Sequence, residues 1–234
     1  VPTGKTLTLG AGAMLAIAGN DDRADLGSDT TRVEIIVDGT LKAEGGLGEE
    51  AAFHAAAGGE GTWAGIHVME DAFVKLDHAS IENAVTGVVV DSVYCHGSGS
   101  PQNYITNSLF ASNQSRDLKI AGKASCGPYT LPLLVEGNTF TVGGGTGIEL
   151  VEDVSGVTVR GNTFDGSSSS TNGILLGSSS TSPVITENTA SGFSNGYPLR
   201  IEGGSAEVTK NTFQNSEYGI YVYVNSGVAS PSIG

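Results

Sequence analysis

Short runs in which apolar and polar residues alternate recur along the whole chain. Five begin on glycine: Gly65-Ile66-His67-Val68, Gly87-Val88-Val89-Val90, Gly147-Ile148-Glu149-Leu150, Gly173-Ile174-Leu175-Leu176 and Gly219-Ile220-Tyr221-Val222. Asp117-Leu118-Lys119-Ile120 and Pro198-Leu199-Arg200-Ile201 fill the gaps between them. A period of two with β-branched residues indicates strands rather than helices. A second element lies between these runs: Val135-Glu136-Gly137-Asn138-Thr139-Phe140, Val159-Arg160-Gly161-Asn162-Thr163-Phe164, Ile185-Thr186-Glu187-Asn188-Thr189-Ala190 and Val208-Thr209-Lys210-Asn211-Thr212-Phe213. Weaker copies stand upstream at Ile105–Phe110, through Asn107, and at Ser80–Ala84, through Asn83. The asparagines recur at intervals of roughly 23–31 residues, a solenoid period. Because both elements advance together, the repeating unit is one complete turn.

Strands this short cannot stand alone and must be paired by their own copies in the turns above and below. The pattern therefore predicts an all-β coil of parallel strands, about eight or nine turns long, with turns roughly 4.8 Å apart. The segment Glu49–Ala57 is the best helical candidate, and it also reads as a strand in which Ala52, His54 and Ala56 alternate against Phe53 and Ala55. Asn138, Asn162, Asn188 and Asn211 are expected to form a ladder. An Asn side chain carries donors and an acceptor, so stacked copies satisfy the backbone groups left unpaired where the chain turns. The Phe two residues later is expected to point inward and stack on its copy in the next turn.

The chain resembles the right-handed parallel β-helix superfamily that includes the pectate lyases, most closely the bacterial exported proteins with parallel β-helix repeats. The resemblance covers about the full length. Its most specific part is N-terminal: Pro2-Thr3-Gly4-Lys5-Thr6-Leu7-Thr8-Leu9-Gly10, then Val37-Asp38-Gly39-Thr40-Leu41-Lys42-Ala43-Glu44-Gly45, then Thr62-Trp63-Ala64-Gly65-Ile66. It implies a right-handed β-helix and leaves function open, since the fold hosts lyases, hydrolases, adhesins and spacers. A single domain over 1–234 is expected, with N-terminal turns carrying longer loops over 1–63 and regular turns over 64–234.

The net charge of −14 argues against a nucleic-acid partner and against anionic membranes. No stretch approaches the roughly 20 apolar residues needed to cross a bilayer. The acidic loop with Asp21, Asp22 and Asp25 is a candidate for calcium, but it lacks the ordered spacing of a calcium loop and the favoured reading is a solvated loop. No other cofactor is implied. The four histidines show no metal-ligand spacing.

If the turns stack in register, one outward column reads His67, Val89, Lys119, Glu149, Leu175, Arg200, Tyr221, and the next reads Met69, Asp91, Ala121, Val151, Gly177, Glu202, Tyr223. In the superfamily's enzymes this kind of face carries the substrate groove. Lys119 and Glu149 would be stacked neighbours forming a surface ion pair. Lys119, Arg200 and Glu202 are candidates for contacting an acidic sugar. Tyr221 and Tyr223, with Tyr197 and Tyr218 nearby, form an aromatic patch that can stack on sugars or cover a seam with a further module. Asn20-Asp21-Asp22 echoes the acidic motif of polygalacturonases. The accompanying Gly-His-Gly and Arg-Ile-Lys motifs are matched only by Cys95-His96-Gly97 and Leu199-Arg200-Ile201-Glu202, which fit neither in residues nor in order. No catalytic residue is assigned.

Cys95 follows Val90 by five residues and Cys126 follows Ile120 by six, on what should be successive turns. Turn spacing lies within disulfide reach, so a Cys95–Cys126 bridge is expected, with two buried thiols as the alternative. A bridge accords with an oxidising compartment. The first residue is Val1, so either a leader has been removed or the chain is a segment of a longer one. No capping helix precedes Val1, and Ser230–Gly234 reads as the start of another turn. Both ends are therefore expected to be open to neighbouring modules or to end-to-end stacking into filaments. The combined expectation is a secreted or cell-surface, non-catalytic solenoid with a structural, adhesive or self-assembling role. The alternative is a β-helix that binds or cleaves an extracellular polysaccharide.

Overall fold

The computed structural model describes residues 1–19, 27, 29–91, 103–122, 133–178, 180–223 and 230–234. Among these, 25 strands and no α-helix are present. The strands form three sheets of nine, eight and eight members, and each turn adds one strand to each sheet in the same order. Every strand pairs in parallel with its counterpart one turn away, as in Thr86–Asp91 against Arg116–Ala121 and Arg116–Ala121 against Thr146–Val151. This is the parallel β-helix expected from the repeat. The glycine-led runs build the third sheet. Each asparagine motif straddles two sheets, with the residues before the asparagine in the first and those after it in the second. Ser232–Ile233 begins a further turn, pairing with Glu207 and Val208. The segment around Phe53 is a strand, Ala51–Ala55, with Ala51, Phe53 and Ala55 buried and Ala52 and His54 facing out. A strand wins there because it extends the sheet, whereas a helix of nine residues is marginal without packing partners.

The interior is a stack of apolar columns. Phe53, Ile81, Phe110, Phe140, Phe164, Ala190 and Phe213 follow one another in register. The rings of Phe110 and Phe140 lie 4.9 Å apart and those of Phe140 and Phe164 lie 4.8 Å apart, stacked at one ring per turn. Ala190 interrupts the column, and the buried Phe193 ring occupies the adjoining space. A Cβ at Gly166 would stand 2.8 Å from that ring, and one at Gly173 would stand 3.2 Å from its tip. Trp63 is fully buried and its indole N–H donates to Glu82 O at 2.8 Å.

The four asparagines form a continuous hydrogen-bonded ladder at the corner between the first and second sheets. Asn138 donates from its backbone N–H to Asn162 Oδ1 and from Nδ2 to both Asn162 Oδ1 and Ile105 O, at 2.8–2.9 Å. Asn162 repeats this with Asn188 and Val135 O, and Asn188 with Asn211 and Val159 O. The upstream copies depart from expectation. Register places Ser108, not Asn107, below Asn138, and the Ser108 N–H donates to Asn138 Oδ1 at 2.9 Å. Asn107 instead takes the left-handed corner position at φ +49°, where Gly137 and Gly161 stand at +67° and +63° and Glu187 and Lys210 at +59° and +56°. Asn tolerates that region better than most L residues, for which it costs roughly 1–2 kcal/mol. Asn83 lies at a different corner, also left-handed at +66°.

Among the described residues one charged side chain is buried in the interior. Asp117 stands in register between Gly87 and Gly147 and is 2% exposed. Its Oδ1 accepts from Asn113 Nδ2 at 2.9 Å, and its Oδ2 is buried with no hydrogen-bond partner. Burial pushes this carboxyl up to about 7 from 3.8, and the nearby Glu60 charge raises it further.

Candidate functional site

The outward face of the third sheet carries four tyrosines at one end. Tyr197 lies on the strand Tyr197–Ile201, Tyr221 lies on Ile220–Val222 directly over Arg200, and Tyr218 and Tyr223 flank that strand. Ring centroids are 4.6 Å apart for Tyr197–Tyr221, 5.4 Å for Tyr197–Tyr218 and 6.3 Å for Tyr221–Tyr223. Tyr218 and Tyr223 are 45% and 43% exposed, so this aromatic surface meets solvent. The Arg200 guanidinium lies 5.7 Å from the Tyr197 ring centre and pairs with Glu202 at 2.5 Å. The pairing balances the charge, and the cation stiffens the platform through its ring contact. The neighbouring Glu217 carboxylate raises the pKa of the Tyr218 hydroxyl.

Lys119 does not join this cluster. It lies three turns away along the column Lys119, Glu149, Leu175, Arg200, roughly 14 Å by strand spacing. The expected Lys119–Glu149 ion pair is also corrected. The two are register neighbours, but Glu149 is held by Arg116 Nε at 2.5 Å. Arg116 sits on the same strand as Lys119, and its planar fork suits a carboxylate better than an ammonium does.

Lys119 instead borders a smaller cleft of about 340 Å³ that also includes Asp29, Glu34, His67, Thr86 and Asp91. His67 is held on both ring nitrogens, with Nδ1 3.3 Å from Glu34 Oε1 and Nε2 in a short contact with Asp91 Oδ2. The Glu34 bond, assisted by Asp91, raises the imidazole pKa against the opposing effect of burial. Asp29 is held down to about 2, chiefly by the Thr31 hydroxyl.

The first sheet bears a groove of about 1180 Å³ that spans five turns from Glu44 to Thr158 and Gly161. Tyr104 and Leu134 are successive members of one outward column, and Asp77, Thr106 and Glu136 of the next.

Residues 91–231 match the model of the family described as the right-handed β-helix region. The chain belongs to the right-handed β-helix family. No curated protein and no solved structure matches it.

On this right-handed β-helix, Arg200, Glu202, Tyr221 and Tyr223 come together, and Tyr197 and Tyr218 complete their cluster. His67 was passed over in the sequence because its partners do not share a local motif. They are Glu34 and Asp91, one on the strand of the turn before and one on the strand of the turn after. The first-sheet groove is not visible in the columns of the glycine-led strands, which belong to the third sheet. Aligning the residues before each asparagine places Lys75, Tyr104, Leu134 and Thr158 in one line. Asp21, Asp22 and Asp25, the calcium candidates, and Cys95 and Cys126, the expected bridge, lie outside the described residues. Among the described residues no group of three or more His, Cys, Asp or Glu side chains is placed to hold a metal ion, and no helix is long and apolar enough to cross a membrane.

Proposed function

We propose that this β-helix is a non-catalytic, polysaccharide-binding solenoid that works outside the cell or at its surface. The observation that carries the reading is the exposed platform of Tyr197, Tyr218, Tyr221 and Tyr223 beside the Arg200–Glu202 pair. Clustered aromatic surface that meets solvent is a common feature of binding faces, which supports this reading. A ring offers an apolar surface to the C–H face of a sugar, while neighbouring hydroxyls and charges bond its rim. Adhesion to a polymer is the form of the structural-or-adhesive role that this surface supports. Several charged groups on the same face are engaged with one another, Arg200 with Glu202, Glu149 with Arg116, and His67 with Glu34 and Asp91. Such pairing suits a fixed binding surface better than proton transfer.

The test is affinity electrophoresis through gels containing neutral and uronate polysaccharides, followed by calorimetry on any that retard the protein. Tyr221→Ala and Tyr218→Ala should each weaken binding by about tenfold, or roughly 1.4 kcal/mol. Retardation that survives loss of both rings removes the platform as the site. Release of unsaturated product from a uronate polymer, abolished by Lys119→Ala or Arg200→Ala, would replace binding with lyase chemistry.

A further inference from the structure

Asparagine is followed by glycine at two places, Asn172-Gly173 and Asn195-Gly196. The dipeptide is reactive because a glycine nitrogen, with no side chain beside it, can reach the asparagine Cγ and close a cyclic imide. We propose that Asn195 is a self-modification site, where the folded chain deamidates in water and the product loosens the loop that seats the tyrosine platform, while Asn172 is held inert by the coil. The proposal does not require the platform to bind anything.

The two pairs differ in what their backbone can do. Asn172 and Gly173 open the strand Asn172–Leu176, which is paired on both sides, with Thr146–Val151 before it and Tyr197–Ile201 after it. Asn172 is buried, its Nδ2 donates to Thr146 Oγ1 at 3.1 Å, and Gly173 packs against Pro198 O and the Phe193 ring. Ring closure needs the main chain to rotate out of its extended form, so this strand would first have to leave both neighbours. Asn195 is exposed, in the loop of residues 193–196 that leads into Tyr197. The Gly196 N–H closes that loop onto Phe193 O at a long 3.4 Å, and Asn195 Nδ2 makes an exposed bond to Ser168 O at 3.0 Å. Gly196 is covered, so reaction waits on opening of the loop, which parts these weak contacts rather than strand pairing.

The coil cannot shed the reactive pair by replacing its glycine. A Cβ at residue 196 would stand 2.3 Å from Ser170 O and 2.6 Å from Thr171 O, both backbone atoms of the preceding turn. The chemistry needs only water. The Gly196 nitrogen gives up its proton and bonds to Asn195 Cγ, the Cγ–Nδ2 bond breaks, and the side-chain nitrogen takes a proton and leaves as ammonia. Water then opens the imide. Opening at Cγ leaves an aspartate, and opening at the Asn195 main-chain carbonyl leaves an isoaspartate whose main chain runs through Cγ. The net change is amide and water to carboxylate and ammonium, with no oxidation or reduction.

The product alters the loop twice over. A carboxylate has no proton to offer Ser168 O, so the bond between neighbouring turns is lost and two acceptors face each other. The isoaspartate also lengthens the main chain by one atom just ahead of Tyr197. That residue donates from its N–H to Thr171 O at 2.9 Å, and its ring lies 4.6 Å from that of Tyr221. The extra length displaces the start of the strand and the ring it carries, so the platform changes shape and charge with the age of the molecule.

The test follows the full protein in mildly alkaline buffer over several weeks, in water labelled with heavy oxygen, by peptide mapping. In the folded protein the Asn195 peptide should convert at least about tenfold faster than the Asn172 peptide, with isoaspartate as the main product and labelled oxygen incorporated; in denaturant the two should react within about threefold of each other. Amide resonances of residues 195–197 and of Tyr221 should shift in step with conversion. Asn195→Gln, which keeps an amide but closes the smaller ring no longer, should show neither conversion nor shift, and the time course of the unsubstituted protein decides the matter by itself if that variant fails to fold. Equal rates at the two sites in the folded protein, an Asn195 that stays an amide while the denatured chain converts, or conversion that leaves the Tyr197 and Tyr221 amides unmoved would each overturn the proposal.

Discussion

Asp117→Asn should make the protein more stable at alkaline pH, because the native coil buries a carboxyl that prefers to be protonated. The folded pKa is about 7 against an ordinary 3.8, so folding takes up a proton between those values. The native state then binds more protons than the unfolded one, and stability falls as pH rises through the window from about 4 to 7. The contribution of Asp117 to stability is highest below pH 4 and levels off above 7. A shift of about three pKa units corresponds to about 4 kcal/mol, and the carboxyl is buried well enough that solvent screening takes little of it. Asparagine has the same shape and keeps the acceptor for Asn113 Nδ2, but it carries no charge. Its amide nitrogen replaces an oxygen that has no partner, so part of the gain is offset by an unpaired donor. Paired denaturant titrations of parent and variant at pH 4 and pH 8 isolate this group, since all other titrations cancel in the difference. The two proteins should match within about 1 kcal/mol at pH 4, and the variant should lead by about 2–4 kcal/mol at pH 8. Parallel stability curves from pH 4 to 8, or a less stable variant at pH 8, would refute the reasoning. Glu60→Gln should lower the Asp117 pKa and flatten the parent's curve, because Glu60 adds to the shift.

Three further outcomes are expected. Asn162→Ala, fully buried in mid-ladder, removes partners from both neighbouring turns and should cost roughly 2–4 kcal/mol, while Asn211→Ala, at a part-exposed rung where water can replace the lost bonds, should cost less in the same denaturant assay. The His67 imidazole, followed by NMR, should titrate above 6.5; its contribution is complete below 6.5 and lost as pH rises through the folded value, so a titration at or below 6.5 contradicts the carboxylate clamp. Cys95 and Cys126 follow neighbouring strands, so the unfolded, unreduced protein should show no titratable thiol, and reduction should cost on the order of 3–4 kcal/mol; two titratable thiols would rule the bridge out.

Much of the fold was legible because one residue pattern recurs with every turn. Val135 to Phe140 and Val159 to Phe164 show the corner, the ladder and the aromatic column in a single line of sequence. The pattern misled where a residue kept its type and changed its place. Asn107 looks like a ladder member, yet it sits one position early, and the smaller Ser108 does the bonding. The tyrosine platform was legible, because Tyr221 and Tyr223 stand two residues apart at the end of the outward columns and Tyr197 and Tyr218 fall close to them. His67 and the first-sheet groove were not legible from local motifs. Tyr104 meets Glu44 across 60 positions and His67 meets Asp91 across 24, so only the register, once drawn for all three sheets, brings them together.

The ladder of asparagines makes the coil a ruler with fixed graduations. Each corner is closed by bonds to the corner before and the corner after it, so the chain can gain or lose a whole turn with its joints intact, but not a fraction of one. Any two features on the surface are then separated by a whole number of strand spacings. Duplicating the turn that holds Asn162 would carry the tyrosine end one step further from the Lys119 end and leave each internally unchanged. Spacing between surface features would thus evolve in discrete increments, while the chemistry of each feature changes one residue at a time.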